Sequence, residues 1–196
     1  RVVSNGPHAE IVSVSEKLCA HIPKNVKDED AVFTVLASIG LNGIRLLNPT
    51  FGEVILISGL GLIGIITAKI LKANGCRVLG IDPDIKRCEF AKTFGIEVLN
   101  INPNSNAISW CENLTNSNGV DGVIITASTQ SNEPIITAAK ACRKKGRIVL
   151  IGVIGMELER DIFYKKELSF QVSCSYGPGR YDYNYEQNCN DYPFPY

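Results

Sequence analysis

The chain is poor in histidine and lacks the residue spacings that usually build metal and redox centres. Two histidines, His8 and His21, occur in 196 residues, and neither has a second ligand at metal-binding spacing, so no metal site is readable. Its seven cysteines (Cys19, Cys76, Cys88, Cys111, Cys142, Cys174 and Cys189) include no C-x-x-C pair. An odd, scattered set argues against a disulfide framework and for reduced thiols in a cytoplasmic protein, each a small buried hydrophobe in the simplest reading. Twenty basic and twenty acidic residues leave a formal net charge of zero, which removes the electrostatic case for nucleic acid or an anionic membrane surface. No apolar run reaches the roughly 18 residues of a membrane span. The longest candidate, residues 54–71, is broken by Ser58, Gly59, Gly61 and Gly64. An initiator methionine is also missing, and Arg1-Val2-Val3-Ser4 has no signal-peptide character, so the chain reads as an excised or processed piece.

The most informative stretch is Val54-Ile55-Leu56-Ile57-Ser58-Gly59-Leu60-Gly61-Leu62-Ile63-Gly64. It reads as a buried strand, a glycine turn and the start of a helix, and its glycines fit the G-x-G-x-x-G dinucleotide fingerprint. In that pattern the first glycine permits the tight turn, the second lets backbone approach a pyrophosphate, and the third lets helix and strand pack closely. The helix offers free N–H groups and the positive end of its dipole to the phosphates. A second strand, Arg77–Ile81, follows Gly75, and Asp82 stands at its end, 23 residues after Gly59. An acidic residue is expected near that distance to accept the ribose hydroxyls. Without this context the glycine triplet would fit an α/β domain that binds nothing.

Taken in order, residues 8–22 alternate apolar and polar and predict two short strands, around Ile11–Val14 and Leu18–Ile22. Asp28-Glu29-Asp30 caps a helix with Val32, Leu36 and Ile39 on one face, interrupted at Gly40 and Gly43 and resumed through Leu47. After Asp82, Asp84 starts a helix, and a strand follows at 97–99. A helix carrying Trp110 and Cys111 leads to a strand over 121–126. A helix from Pro134 reaching Cys142 leads to a strand over 146–152, and a short helix at 163–166 to a sixth strand, 168–173. This alternation predicts a doubly wound parallel six-stranded sheet, a Rossmann fold in the order 3-2-1-4-5-6, with the cofactor over Gly59–Ile63, Asp82, Thr126-Ala127 and Gly152-Val153. The tail from Tyr176 holds six of the seven tyrosines, and its prolines and glycines predict an irregular segment. Aromatics in such a segment suggest a surface made to pack on something else.

The succession "HAEIVSVS", "IPKNVKDEDAVF", "GLGLIG", "IDPD" and "GRIVLIGV" resembles the zinc-type medium-chain dehydrogenase/reductase family over residues 8–173. The tail "SYGPGRYDYNYE" resembles bacterial bi-domain oxidoreductases of polysaccharide biosynthesis, in which such a dehydrogenase is joined to a second Rossmann-type oxidoreductase. The resemblance implies an incomplete alcohol dehydrogenase-like enzyme. Residues 1–27 would be the remnant of a barrel-like catalytic domain preceding Arg1, 28–175 the NAD(P)-binding domain, and 176–196 a tail leading onward. Any zinc would be held in the missing domain, so neither a zinc ligand nor a catalytic base is assigned here. Carried over by position, Gly59, Gly61, Leu62, Ile63 and Gly64 form the pyrophosphate turn, and Asp82 is the ribose acceptor. Arg87 lies near the adenosine, and Thr126, Ala127, Gly152 and Val153 lie near adenine and nicotinamide. Ser38 is placed toward the nicotinamide, with a helix hydroxyl bonded to the preceding turn as its structural alternative.

Asp82 and Asp84 would repel a 2′-phosphate, which favours NAD over NADP, although Lys86 and Arg87 blunt that preference. A sugar or nucleotide-sugar substrate follows only from the bi-domain likeness. The resemblance further implies a homodimer pairing the sixth strand with its copy. Other readings open to these residues are a non-catalytic NAD-sensing module, a structural remnant with an unused site, and, less well matched, a methyltransferase turn.

Overall fold

In the computed structural model of this protein, the structure describes residues 1–177, 179–186 and 188. The chain begins with β1 (Val2–Ser4), a 3-10 turn at Glu16–Leu18 and β2 (Cys19–His21), then α1 (Asp28–Ala31) and α2 (Thr34–Leu47). The alternating part follows as β3 (Val54–Ser58), α3 (Leu62–Ala73), β4 (Arg77–Asp82), α4 (Ile85–Lys92) and β5 (Glu97–Asn100). It continues with α5 (Ala107–Leu114), β6 (Val120–Ile125), α6 (Glu133–Ala141), β7 (Cys142–Leu150), α7 (Arg160–Lys166) and β8 (Ser169–Val172). One turn of helix, α8 (Tyr183–Glu186), lies in the tail.

The six strands β3 to β8 form one parallel sheet in the order β5-β4-β3-β6-β7-β8, which is the predicted 3-2-1-4-5-6. Period-2 alternation sends Ile55 and Ile57 to one face and Leu56 to the other. The first face packs against Ile44 and Leu47 of α2, Ile65, Ala68 and Leu71 of α3, and Ala91 of α4. The second packs against Cys111 of α5 and Ile135, Ala138 and Ala139 of α6. Ile55, Leu56 and Ile57 are fully buried, each worth about 1.5–3 kcal/mol of transfer free energy. Both faces are covered, so β3 reads as a continuous apolar run. Local signals place the helix ends. Asp84 accepts the Lys86 N–H at 2.8 Å and Asn106 the Ser109 N–H at 3.0 Å, while Gly75 at φ +83° turns the chain out of α3.

Five expectations need correction. No strand forms at 11–14, where Ile11 is 91% exposed; β2 instead pairs antiparallel with Val2–Ser4, because alternation makes a strand only where a partner backbone is available. The helix expected from Asp28 breaks at Val32–Phe33, and Val32 faces solvent. Gly40 and Gly43 do not interrupt α2. They are contact points, where a Cβ would lie 2.5 Å from Thr67 Oγ1 of α3 and 2.4 Å from Ile151 Cδ1, so the helix accepts their intrinsic cost for closer packing. Cys142 belongs to β7 and not to α6, since it pairs with Val120 ahead of an irregularity in the register.

The tail, finally, is not wholly irregular over its described part. Tyr176 receives a hydrogen bond from Asn5 Nδ2 at 3.0 Å. Arg180 pairs with Glu186 at 2.7 Å and stacks 3.8 Å from the Tyr181 ring. Gly177, at φ +112°, lies against Asn42, whose amide donates to Ser173 Oγ at 2.8 Å. The start of the segment therefore packs on the chain itself, at Tyr176 and Gly177, while Tyr181 and Tyr183 stay exposed. Cys189, Tyr192, Pro193, Pro195 and Tyr196 lie outside the described residues.

Cys76, Cys88, Cys111 and Cys142 are buried free thiols, whereas Cys174 is exposed. Burial pushes all four buried thiols up, Cys111 and Cys142 to about 12. At pH 8 a thiol with that value is ionised only about once in ten thousand molecules, and the thiolate is the reactive form. A brief iodoacetamide pulse at pH 8, read by peptide mass spectrometry, is expected to modify Cys174 ahead of the four buried thiols. Cys111 and Cys142 should react only after denaturation, and native labelling of Cys142 ahead of Cys174 would contradict this packing.

Candidate functional site

The carboxyl ends of β3, β4 and β6 converge on a cleft of about 650 Å³, at the point where strand order reverses. Its floor is the turn from β3 into α3, and the three glycines of that turn are required for different reasons. Gly59 adopts φ +104°, and a Cβ there would lie 2.7 Å from the Ala127 nitrogen. At Gly64 a Cβ would lie 2.0 Å from the Gly59 carbonyl oxygen. Protein packing alone demands both. Gly61 differs: it is the N-cap of α3 at φ −70°, open to any residue, and the nearest atom to its missing Cβ is Arg87 Nη1 at 4.0 Å. No side chain caps the helix there, so the N-terminal amides of α3 and the positive end of its dipole face the cleft.

Asp82 closes the second side. Its side chain is 2% exposed and is held by backbone on both oxygens. Oδ2 accepts the Leu60 N–H at 2.7 Å, and Oδ1 the Asp84 N–H at 2.8 Å. One lone pair on each oxygen stays available to a hydroxyl donor. Arg87 stands at the mouth, 3.7 Å from the carboxylates of both Asp82 and Asp84. These separations are ion-pair distances, longer than hydrogen bonds. On the third side, Thr126 lies at the end of β6, and its Oγ1 donates to the Gly59 carbonyl at 2.6 Å.

Of the positions singled out in the sequence, Gly59, Gly61, Leu62, Ile63, Gly64, Asp82, Arg87, Thr126 and Ala127 line this one cleft. Gly152 and Val153 do not line it but adjoin its Ala127 side, with Val153 exposed. The Val153 N–H donates to the Ala127 carbonyl at 3.1 Å, and a Cβ on Gly152 would lie 2.0 Å from that same oxygen, so these two residues support the wall without lining it. Ser38 is elsewhere. It borders a smaller cavity of about 230 Å³ with Cys19 and Tyr176, and its hydroxyl donates to the Thr34 carbonyl at 2.8 Å. Leu36, two residues earlier, faces the main cleft. Sequence reasoning missed Ile101, Thr129, Glu133 and Thr137 on its wall. Position after a strand end is the one signal that could have found Ile101 and Thr129.

Among the described residues no group of three or more His, Cys, Asp and Glu side chains could hold a metal ion, so the described side chains do not fit a zinc site. No described helix is long and apolar enough to cross a membrane.

Comparison with known proteins agrees with this architecture. Residues 63–188 match the family described as zinc-binding dehydrogenase. L-idonate 5-dehydrogenase of Vitis vinifera is 28% identical over 158 residues, covering 79% of this chain and 43% of that protein. D-guloside 3-dehydrogenase of Escherichia coli K12 is 29% identical over 131 residues, covering 64% of this chain and 37% of that protein. Among solved structures, 2R,3R-butanediol dehydrogenase of Bacillus subtilis superposes with a TM-score of 0.77 at 20% identity, covering 85% of this chain and 48% of that one. A zinc-binding dehydrogenase of Sinorhizobium meliloti bound to NADP gives 0.70 at 21% identity, covering 80% and 47%. The chain thus spans about half the length of the relatives it matches. With the family match running over nearly two thirds of its residues, and with the sheet order and glycine turn already described, the chain belongs to the zinc-binding dehydrogenase family.

Proposed function

We propose that this chain is the NAD(P)-binding part of an alcohol dehydrogenase-like oxidoreductase acting on CH–OH groups. The observation that carries the reading is Gly61. The protein itself gives no steric reason for glycine there, whereas a pyrophosphate lying on the α3 amides would need that space. In this reading the backbone N–H groups of Leu62 and Ile63 bind the pyrophosphate and the spare lone pairs of Asp82 accept ribose hydroxyls. Leu36, Thr129 and Thr137 border the remainder of the cleft. When bound, nicotinamide accepts or supplies the hydride exchanged with an alcohol or carbonyl carbon.

NAD is preferred over NADP because the carboxylates of Asp82 and Asp84 flank the ribose position; Arg87 between them weakens the preference. A sugar or polyol substrate is supported by the relatives, whose names specify L-idonate and D-guloside; a nucleotide-sugar substrate is supported only by the likeness of the tail to bi-domain oxidoreductases. The substrate and any zinc are assigned to a domain beyond this chain, with residues 1–27 as its last part, 28–175 as the nucleotide domain and 176–196 leading to further sequence. The small β1–β2 sheet, separate from the main one, supports that boundary. This piece alone is expected to bind cofactor without turnover. β8 is an edge strand carrying exposed Val172, and unpaired edges of this kind invite association, which supports a homodimer through residues 168–173.

Three measurements check these statements. Gly61→Ser supplies an N-cap, so its melting temperature should hold or rise slightly, while calorimetric NAD affinity should fall at least about tenfold because a side chain fills the phosphate space. Gly64→Ala, by contrast, should destabilise the fold by about 2 kcal/mol or more through its backbone clash. Retained NAD affinity in Gly61→Ser would overturn the pyrophosphate assignment. In parallel titrations the chain should bind NAD more tightly than NADP, and Arg87→Ala should widen the gap; an equal or reversed preference would remove Asp82 as the discriminating group. By gel filtration the chain should elute as a dimer and Val172→Lys as a monomer, and a wild-type monomer at micromolar concentration would rule out the β8 contact.

A further inference from the structure

The glycine turn is clamped from both flanks before any ligand arrives, and the two clamps differ in chemistry. Asp82 Oδ2 holds the Leu60 N–H at 2.7 Å, so this carboxylate stands both at the turn and at the ribose position. Thr126 Oγ1 holds the Gly59 carbonyl at 2.6 Å, while its own N–H donates to the Ser58 carbonyl at 2.9 Å. Threonine can make this contact because Gly64 has no Cβ; one placed there would lie 2.8 Å from Thr126 Oγ1. The third glycine therefore admits the hydroxyl as well as the close approach of helix to strand.

Resting on the reading above, we propose that Thr126 is a positioning residue for the dinucleotide pyrophosphate, acting through the orientation of the Gly59–Gly61 peptide planes and not by touching the ligand. Gly59 sits at φ +104°, a conformation with shallow restraint of its own, so its carbonyl direction depends on what accepts or donates beside it. With the Gly59 carbonyl tied to β6 and the Leu60 N–H tied to β4, the next peptide units turn their N–H groups into the cleft. Remove the hydroxyl, and the carbonyl is left without its donor against the apolar end of β6. A carbonyl in that position rotates toward water, taking the following amides out of line with the phosphates. The Gly59 carbonyl and the Leu60 N–H share one peptide plane, so the rotation draws on the bond from Leu60 to Asp82 Oδ2, while Asp82 Oδ1, bonded to the Asp84 N–H at 2.8 Å, keeps the carboxylate at the ribose side.

This separates the two halves of the ligand. Thr126→Val keeps the side-chain shape and removes the donor; Thr126→Ser keeps the donor and removes the methyl group. In an NMR titration of the 196-residue chain, Thr126→Val should bind ADP-ribose about tenfold more weakly, the equivalent of one hydrogen bond, while its affinity for adenosine stays within about twofold. Thr126→Ser should restore the ADP-ribose affinity. Amide hydrogen exchange at Leu60–Leu62 in the unliganded protein should speed up in Thr126→Val only. Equal losses for both ligands would assign Thr126 to general structure, and an unchanged ADP-ribose affinity would overturn the proposal while leaving the dinucleotide reading intact. If the wild-type chain binds adenosine and ADP-ribose with equal affinity, or binds neither, the pyrophosphate reading itself fails and Thr126 has no phosphate to position.

Discussion

The fold depends on a contact in which atoms are missing. The carbonyl of Gly59 rests against the first turn of α3 at a spot where a Cβ on Gly64 would lie 2.0 Å away. Every consequence downstream requires that proximity. It lets α3 lie flat on the sheet with Ile65, Ala68 and Leu71 in the core. It puts the start of α3, and with it a positive dipole end, at the seam between β3 and β6. It also leaves Thr126 room to reach the turn. A larger residue at 64 would lift the helix, opening the core and dispersing the cleft together. The same backbone contact therefore supports stability and the site, which is why they cannot be tuned separately at this position. They can be tuned separately at Gly61, where the space is empty.

Electrostatics adds a second layer. Asp82 is nearly fully enclosed, a costly place for a carboxylate unless its oxygens are occupied. Two backbone N–H groups from two different loops occupy them, so the charge is stabilised by the peptide frame and not chiefly by Arg87, which is half exposed and 3.7 Å away. The acid can thus be a structural bracket and still present lone pairs to the cleft.

What could be read in the sequence was local or strongly periodic. The glycine turn, Asp82 and the strand order were legible because a Rossmann unit writes them within a few dozen residues and alternates strands with helices at short intervals. What escaped required partners far along the chain. Ile11–Val14 carries a strand pattern without a partner, while Val2–Ser4, only three residues long, finds one across the 3-10 turn. Gly40 and Gly43 read as breaks because intrinsic preference was visible and the neighbouring Thr67 and Ile151 were not. The placement of Ser38 depended on helix rotation, which a two-residue shift toward Leu36 reverses. Glu133 and Thr137 lie on α6, a helix that was legible, but which of its faces meets the cleft depends on the path of the loop before it, and no periodicity announces that.

The bond between Asn5 and Tyr176 joins positions 171 residues apart, and Asn42, Ser173 and Gly177 meet within the same region. The polypeptide is in effect drawn into a ring, with its opening strands and its tail fastened at one seam beside α2. In such an arrangement the two terminal segments form one cooperative unit: loosening either removes the other's support, so local opening at this seam should involve both together. A disturbance arriving at Val2–Ser4 would be felt first in the tail and at the edge of the sheet near β8, well before it reached the glycine turn.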